Sequence, residues 1–164
     1  MPTPSNIKVF LSHKKEDEAL SLQIAAYLRA NGLDVYLDTI DDNLYRDGPD
    51  LADYIRAQLD KCTQLLAVIS RQTAASWWVP WEIGVASEKE RFLASFVAGD
   101  ATVPEYLQKW PYLRNQRDLD VYIQESKSAQ RIVENYVQRG TGRTAARSTG
   151  FREFHRGLKR ALGQ

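Results

Sequence analysis

The sequence predicts an α/β domain on a parallel sheet covered by helices on both faces. Three observations carry that expectation. Short, β-branched apolar runs alternate along the chain with stretches whose apolar residues recur at helical spacing. The runs are apolar almost throughout rather than every second residue, as strands buried on two faces are. At 164 residues the chain is the size of one ordinary domain and long enough to bury a sizeable core.

Residues 7–11 read as the first strand, emptying into the polar Ser12-His13-Lys14-Lys15. Residues 17–31 carry a helical stripe of Leu20, Ile24, Tyr27 and Leu28, with Gly32 as the stop. The second strand is residues 33–37. The segment 38–49 that follows is too polar and too rich in turn formers to be regular, and a loop that long in a compact α/β domain is usually functional. Asp50 is a candidate cap for a second helix with Leu51, Tyr54, Ile55 and Leu59 on its face. Residues 65–69 are the most apolar run and are expected at the centre of the sheet.

A third helix is expected over residues 78–91. Residues 92–97 then read as a fourth strand, although the same run could extend the helix. Residues 104–107 and 110–113 read as a short helix or turn pair. Residues 119–123 are either a fifth strand or the first turn of a last helix capped by Asp118, and 126–138 are helical in pattern. The sheet should therefore have four to five strands. Beyond a domain over residues 1–138, residues 139–164 hold Arg139, Arg143, Arg147, Arg152, Arg156, Lys159 and Arg160 against one acid, Glu153. They are expected to form a basic tail with a short helix over residues 151–162.

With 22 basic and 21 acidic residues the net charge is +1, which provides no global field for nucleic acid or an anionic membrane. The one cysteine, Cys62, excludes an internal disulfide framework and fits a reducing, cytoplasmic setting. No run has the length of a signal peptide or a bilayer span. Neither a Walker pattern nor Gly-x-Gly-x-x-Gly is present, which argues against ordinary nucleotide hydrolysis and hydride transfer.

In parallel sheets ligands collect at the carboxyl ends of the strands, near the reversal in strand order. Three chemically unusual segments should meet there: Ser12 to Lys15, residues 38–49, and Ser76-Trp77-Trp78-Val79-Pro80-Trp81-Glu82. Pro80 is harmless only in the first turn of a helix, so that helix should start near Ser76 or Trp77, with Ser76 a candidate cap. Trp78 and Glu82, four apart, would then share a face, an aromatic plate beside an anionic acceptor. The helix dipole favours the charged form of Glu82, and desolvation by the indoles favours the neutral one. The ordinary alternative is that the tryptophans are core and Glu82 a solvated helix residue.

On Val9-Phe10-Leu11-Ser12-His13, on Tyr36-Leu37-Asp38 with its long following loop, and on Ser76, Trp78 and Glu82, the chain resembles the TIR domain family, in particular stand-alone bacterial TIR proteins of Thoeris anti-phage systems. The resemblance covers residues 7–137. It departs at Val79, where the family often has cysteine. It implies a flavodoxin-like three-layer sandwich and, for active members, cleavage of the nicotinamide–ribose bond of NAD to give ADP-ribose or a cyclic isomer. Glu82 then corresponds to the catalytic glutamate and Trp78 to its aromatic partner. Phe10, Ser12, His13, Lys14, Asp38 and Trp77 fall to substrate binding, with no metal and with NAD as substrate rather than cofactor. Further implied are self-association through TIR contacts, a separate effector protein that senses the product, and a phage protein as trigger.

The chemistry suits these residues. Breaking the N-glycosidic bond spreads positive charge over the ribose, and a carboxylate against the ribose stabilises that state more than the ground state. An indole stacked on the nicotinamide would hold it in line for departure. The ring is cationic in NAD and leaves neutral, so no acid catalyst is needed. Ser12, His13, Lys14 and Lys15 are donors for the phosphates. Asp38 either binds a ribose hydroxyl or orders its loop, and His13 is either a loop hydrogen-bonder or a proton-transfer group. The rival function is a non-catalytic module that signals by homotypic assembly through residues 38–49. A third is a nucleoside-processing transferase.

Overall fold

The computed structural model describes residues 6–39, 48–74 and 78–164. Five strands, β1 (Lys8–His13), β2 (Asp34–Thr39), β3 (Gln64–Ile69), β4 (Phe92–Val97) and β5 (Tyr112–Leu113), form one sheet in the order β2-β1-β3-β4-β5. Every pairing is parallel. The helices are α1 (Glu18–Ala30), α2 (Gly48–Asp60), α3 (Trp78–Glu88), α4 (Gln116–Gln138) and α5 (Arg143–Leu162). This is the doubly wound, flavodoxin-like order, with β3 in the middle.

Alternation along the strands divides the core into two layers, one on each face of the sheet. Val9, Leu11, Leu66, Val68, Ala94 and Phe96 face α1, α4 and α5, meeting Ile24, Leu28, Tyr122 and Phe154. Phe10, Leu65, Ala67, Ile69, Leu93 and Val97 face the other way, toward Ile55 and Leu59 of α2 and Ile83 and Ala86 of α3. All six residues of β3 are buried, including Gln64. That polar side chain is tolerated because Tyr122 Oη (2.7 Å) and Ser126 Oγ (3.0 Å) both donate to its Oε1.

Several boundaries differ from those expected. β1 continues through Ser12 and His13, because pairing with β2 and β3 outlasts the apolar run. α2 begins at Gly48, so Asp50 lies inside the helix rather than capping it. α3 stops at Glu88, and Glu90 takes a left-handed φ of 52° in the turn to β4, which leaves Arg91 outside the helix. Residues 119–123 are helix: Asn115 Oδ1 accepts the Asp118 N–H (2.9 Å), while Asp118 Oδ2 accepts the Arg114 N–H (2.8 Å), so α4 starts one turn earlier. The fifth strand is instead the two-residue β5, too short to leave a periodic signal.

The largest difference is α5. Its 20 residues form one helix from Arg143, in which Ala146, Gly150, Phe154 and Leu158 recur every four residues and are all buried. Phe154 stacks on Phe92 at 4.7 Å between centroids. A Cβ on Gly150 would run into Val133 Cγ2 of α4, so glycine sets the close approach of the two helices.

His155, beside that stripe, has a fixed tautomer: Nδ1 donates to Phe151 O (2.7 Å) and Nε2 accepts the Leu93 N–H (3.0 Å). Burial pushes its pKa down to about 4. The unfolded chain therefore takes up the proton first. The contribution of His155 to stability is constant above the unfolded pKa, about 6.5, and is lost as pH falls from there toward about 4. We expect a loss of about 2 kcal/mol at pH 5 relative to pH 7.5, measured by urea unfolding. His155→Gln should flatten that part of the profile, and an unchanged slope in the variant would remove the assignment.

Candidate functional site

The strand order reverses between β1 and β3, and the crevice at their carboxyl ends is where a ligand can reach both. β1 delivers Ser12 there, in register with Asp38 of β2 and Ala67 of β3. α3, which follows β3, brings Glu82 back over the same place. Ser12 Oγ donates a hydrogen bond to Glu82 Oε2 across 70 positions of sequence. Glu82 is 0% exposed and Ser12 1%. A solvated helix glutamate is thereby excluded. A carboxylate so enclosed is costly unless donors hold it, and Ser12 is one of them.

A second polar group, not anticipated from the sequence, ties the neighbouring loops together. Thr73 Oγ1 donates to Asp17 Oδ2 (2.7 Å) and accepts the Ser70 N–H (2.8 Å), and Ser21 Oγ donates to Asp17 O (2.8 Å). Asp17, Ser21 and Thr73 are all buried. The segment leading from β3 toward α3 is thus pinned to the turn after β1. In the sequence Asp17 looks like an ordinary first helical residue and Thr73 like a loop residue, and nothing local pairs them. Thr73→Val keeps the volume but leaves a buried carboxylate oxygen short of its donor. The expected cost is about 2–3 kcal/mol by urea unfolding, with Thr73→Ser recovering most of it. Equal stability of the valine variant would show that the bond contributes nothing.

The expected residues fall into distinct places. Ser12 and Glu82 are brought together. Phe10 is fully buried two residues earlier on the same face, tilted against Tyr36 at 5.4 Å between centroids, so it forms a floor beneath the pair. Tyr36 in turn meets Tyr54 hydroxyl to hydroxyl, joining β2 to α2. His13 is also buried, but strand alternation sends its side chain to the opposite face from Ser12. Lys14 follows β1, partly exposed, and its carbonyl accepts the Asp17 N–H (2.9 Å). Trp78 opens α3, one turn before Glu82. Trp77, the candidate cap Ser76 and positions 40–47 of the long loop lie outside the described residues.

Among the described residues no group of three or more His, Cys, Asp or Glu side chains could hold a metal ion, and no helix is long and apolar enough to cross a membrane. Cys62 sits at the other end of the sheet, its thiol pushed up to about 11 by burial, which makes it a poor nucleophile.

Fold and site together define a flavodoxin-like α/β domain with an enclosed carboxylate–hydroxyl pair at its topological switch point. Residues 9–133 match the TIR domain family, and the chain belongs to it. Over 144 residues it is 26% identical to a probable 3' cyclic ADP-D-ribose synthase, ThsB', of Bacillus cereus strain MSX-D12, covering 79% of this chain and 75% of that one. Two solved structures superpose with TM-scores of 0.43. They are the TIR domains of the activated Roq1 resistosome bound to the pathogen effector XopQ (13% identity, 96% of this chain and 84% of that one) and a diflavin flavoprotein of Nostoc sp. (14%, 96% and 97%). Superpositions that loose carry no weight for function.

Proposed function

We propose that the protein is a cytoplasmic NAD-consuming enzyme that cleaves the nicotinamide–ribose bond and releases nicotinamide with ADP-ribose or a cyclic isomer, as an anti-phage immune signal. The observation that carries this reading is the Ser12–Glu82 pair, closed to solvent at the switch point of a TIR domain. The similarity to a probable cyclic ADP-ribose synthase supports it.

Glu82 acts on charge. As the C1′–N bond breaks, its electron pair goes to the nicotinamide nitrogen and positive charge develops on the ribose, where a fixed carboxylate in a water-poor site stabilises it. Ser12 orients that carboxylate and is displaced toward a ribose hydroxyl when substrate enters. Water adding at C1′ with loss of a proton gives ADP-ribose; a nucleophile from the adenosine end of the same molecule gives the cyclic product. Trp78, one turn before Glu82, is the partner for the nicotinamide ring, and Trp77 is assigned to substrate binding with it. Lys14 serves the phosphates and Asp38 a ribose hydroxyl, while His13 supports β1 from its opposite face. Because Glu82 and Ser12 are both enclosed in the free chain, NAD reaches them only after the strand ends and α3 part. Self-association through TIR contacts, set off by a phage protein, is the step we assign to that opening, and a separate effector protein reads the product.

The test is product analysis by chromatography and mass spectrometry of NAD incubated with concentrated protein, alone and in lysate from infected cells. Nicotinamide should appear in equal amount with ADP-ribose or its cyclic isomer. NAD left intact in both would return the protein to the rival reading, a module that signals by homotypic assembly.

A further inference from the structure

A large cavity lies at the opposite end of the sheet from Glu82. It is an open groove of about 1630 Å³ along the amino ends of β1, β3 and β4, walled by the second half of α4 and the start of α5. Six cations line it, Lys61, Arg91, Lys127, Arg131, Arg143 and Arg147, against two acids, Asp60 and Glu134. Asp60 is already engaged by Lys89 at 2.6 Å. Among the described residues Lys61, Lys127, Arg131, Arg143 and Arg147 form no ion pair.

Arg91 is the anchor. It is 7% exposed, its Nε donates to Leu59 O (3.2 Å) and its Nη2 forms a long ion pair with Asp60 (3.9 Å); among the described residues its two terminal nitrogens make no hydrogen bond. Burial, and then the charge of Arg147, both lower its pKa, with Asp60 offsetting part of the effect. Two guanidinium groups lining one groove, close enough for the charge of Arg147 to be felt at Arg91, are a receptor for a planar anion, which their terminal nitrogens can hold. The amino end of α5, with Arg143 and Arg147 in its first two turns and no acid in the first, adds to the same positive field.

We propose that this groove docks an acidic segment of a partner protein, its Asp or Glu carboxylates taken between Arg91 and Arg147. The size of the groove exceeds that of ordinary small-molecule sites, roughly 300–1,000 Å³, and points to an extended ligand. Among the described residues its one aromatic, Phe92, is buried and offers no platform on which bases could stack, and the net charge of +1 supplies no long-range field for nucleic acid. The amides of Asn31 and Gln130 in the lining suit a peptide backbone.

The experiment is fluorescence anisotropy of a labelled ten-residue glutamate peptide with the full chain at low salt. Saturable binding is expected, weakening as salt is raised, with no binding of a ten-residue glutamine peptide. Arg143→Gln with Arg147→Gln should weaken binding about ten-fold or more, and Arg91→Gln likewise in protein shown to be folded. The control removes the same charge from the same helix outside the groove: Arg152→Gln with Arg160→Gln should change binding less than about two-fold. Absence of binding, an equal effect of the control pair, or a ten-nucleotide single-stranded DNA that binds as tightly as the peptide would each overturn the proposal. NAD turnover plays no part in the readout, so this result stands or falls apart from the enzymatic reading.

Discussion

Glu82→Gln should reduce nicotinamide release from NAD by about a thousand-fold or more, corresponding to about 4 kcal/mol of lost transition-state stabilisation. Glutamine is the informative replacement because of where the side chain sits. At 0% exposure, and accepting the Ser12 hydroxyl, Glu82 cannot be trimmed to alanine without leaving a void and an unpaired buried hydroxyl. A dead alanine variant would therefore mix damage to the fold with loss of chemistry. The amide keeps the shape and an oxygen for Ser12, and removes only the charge that a developing oxocarbenium ion would feel. Turnover and urea midpoint are measured on the same preparation. If folded Glu82→Gln cleaves NAD at the wild-type rate, the carboxylate has a structural role and the catalytic assignment is lost.

The two halves of that site differ in how plainly the sequence shows them. β3 is legible as the central strand because all six of its residues are buried and a parallel strand covered on both faces has to be apolar. The meeting of Ser12 with Glu82 follows from it, since α3 must come back over the carboxyl ends of β1 and β3. His13 parts from Ser12 because adjacency in sequence means opposite faces in a strand, and only the length of β1 reveals that both are still within it. Asp17 and Thr73 carry no local signal at all. Their bond depends on the packing of two turns 56 positions apart, a distance over which residue type alone says nothing.

α5 was legible and was obscured by its charge. Seven cations in its neighbourhood suggest a solvated tail, yet Ala146, Gly150, Phe154 and Leu158 repeat at the spacing of one helical face, with Gly150 where α4 passes close and Phe154 over the sheet against Phe92. Phe154→Ala tests that reading. The ring is 0% exposed, stacked on Phe92 and edge-on to Tyr122 at 6.0 Å. Its removal should cost about 3–5 kcal/mol, a large part of the roughly 5–15 kcal/mol that holds an ordinary domain together. Arg152→Ala, on the exposed side of the same helix, should cost about 0.5 kcal/mol or less. Urea unfolding of the two variants measures the difference directly. A loss near zero for Phe154→Ala would mean that residues 143–162 are a detachable tail after all; a loss of the expected size makes them the third helix of the layer that supports β1, and so places the basic wall of the groove and the floor of the carboxylate site on one cooperative unit.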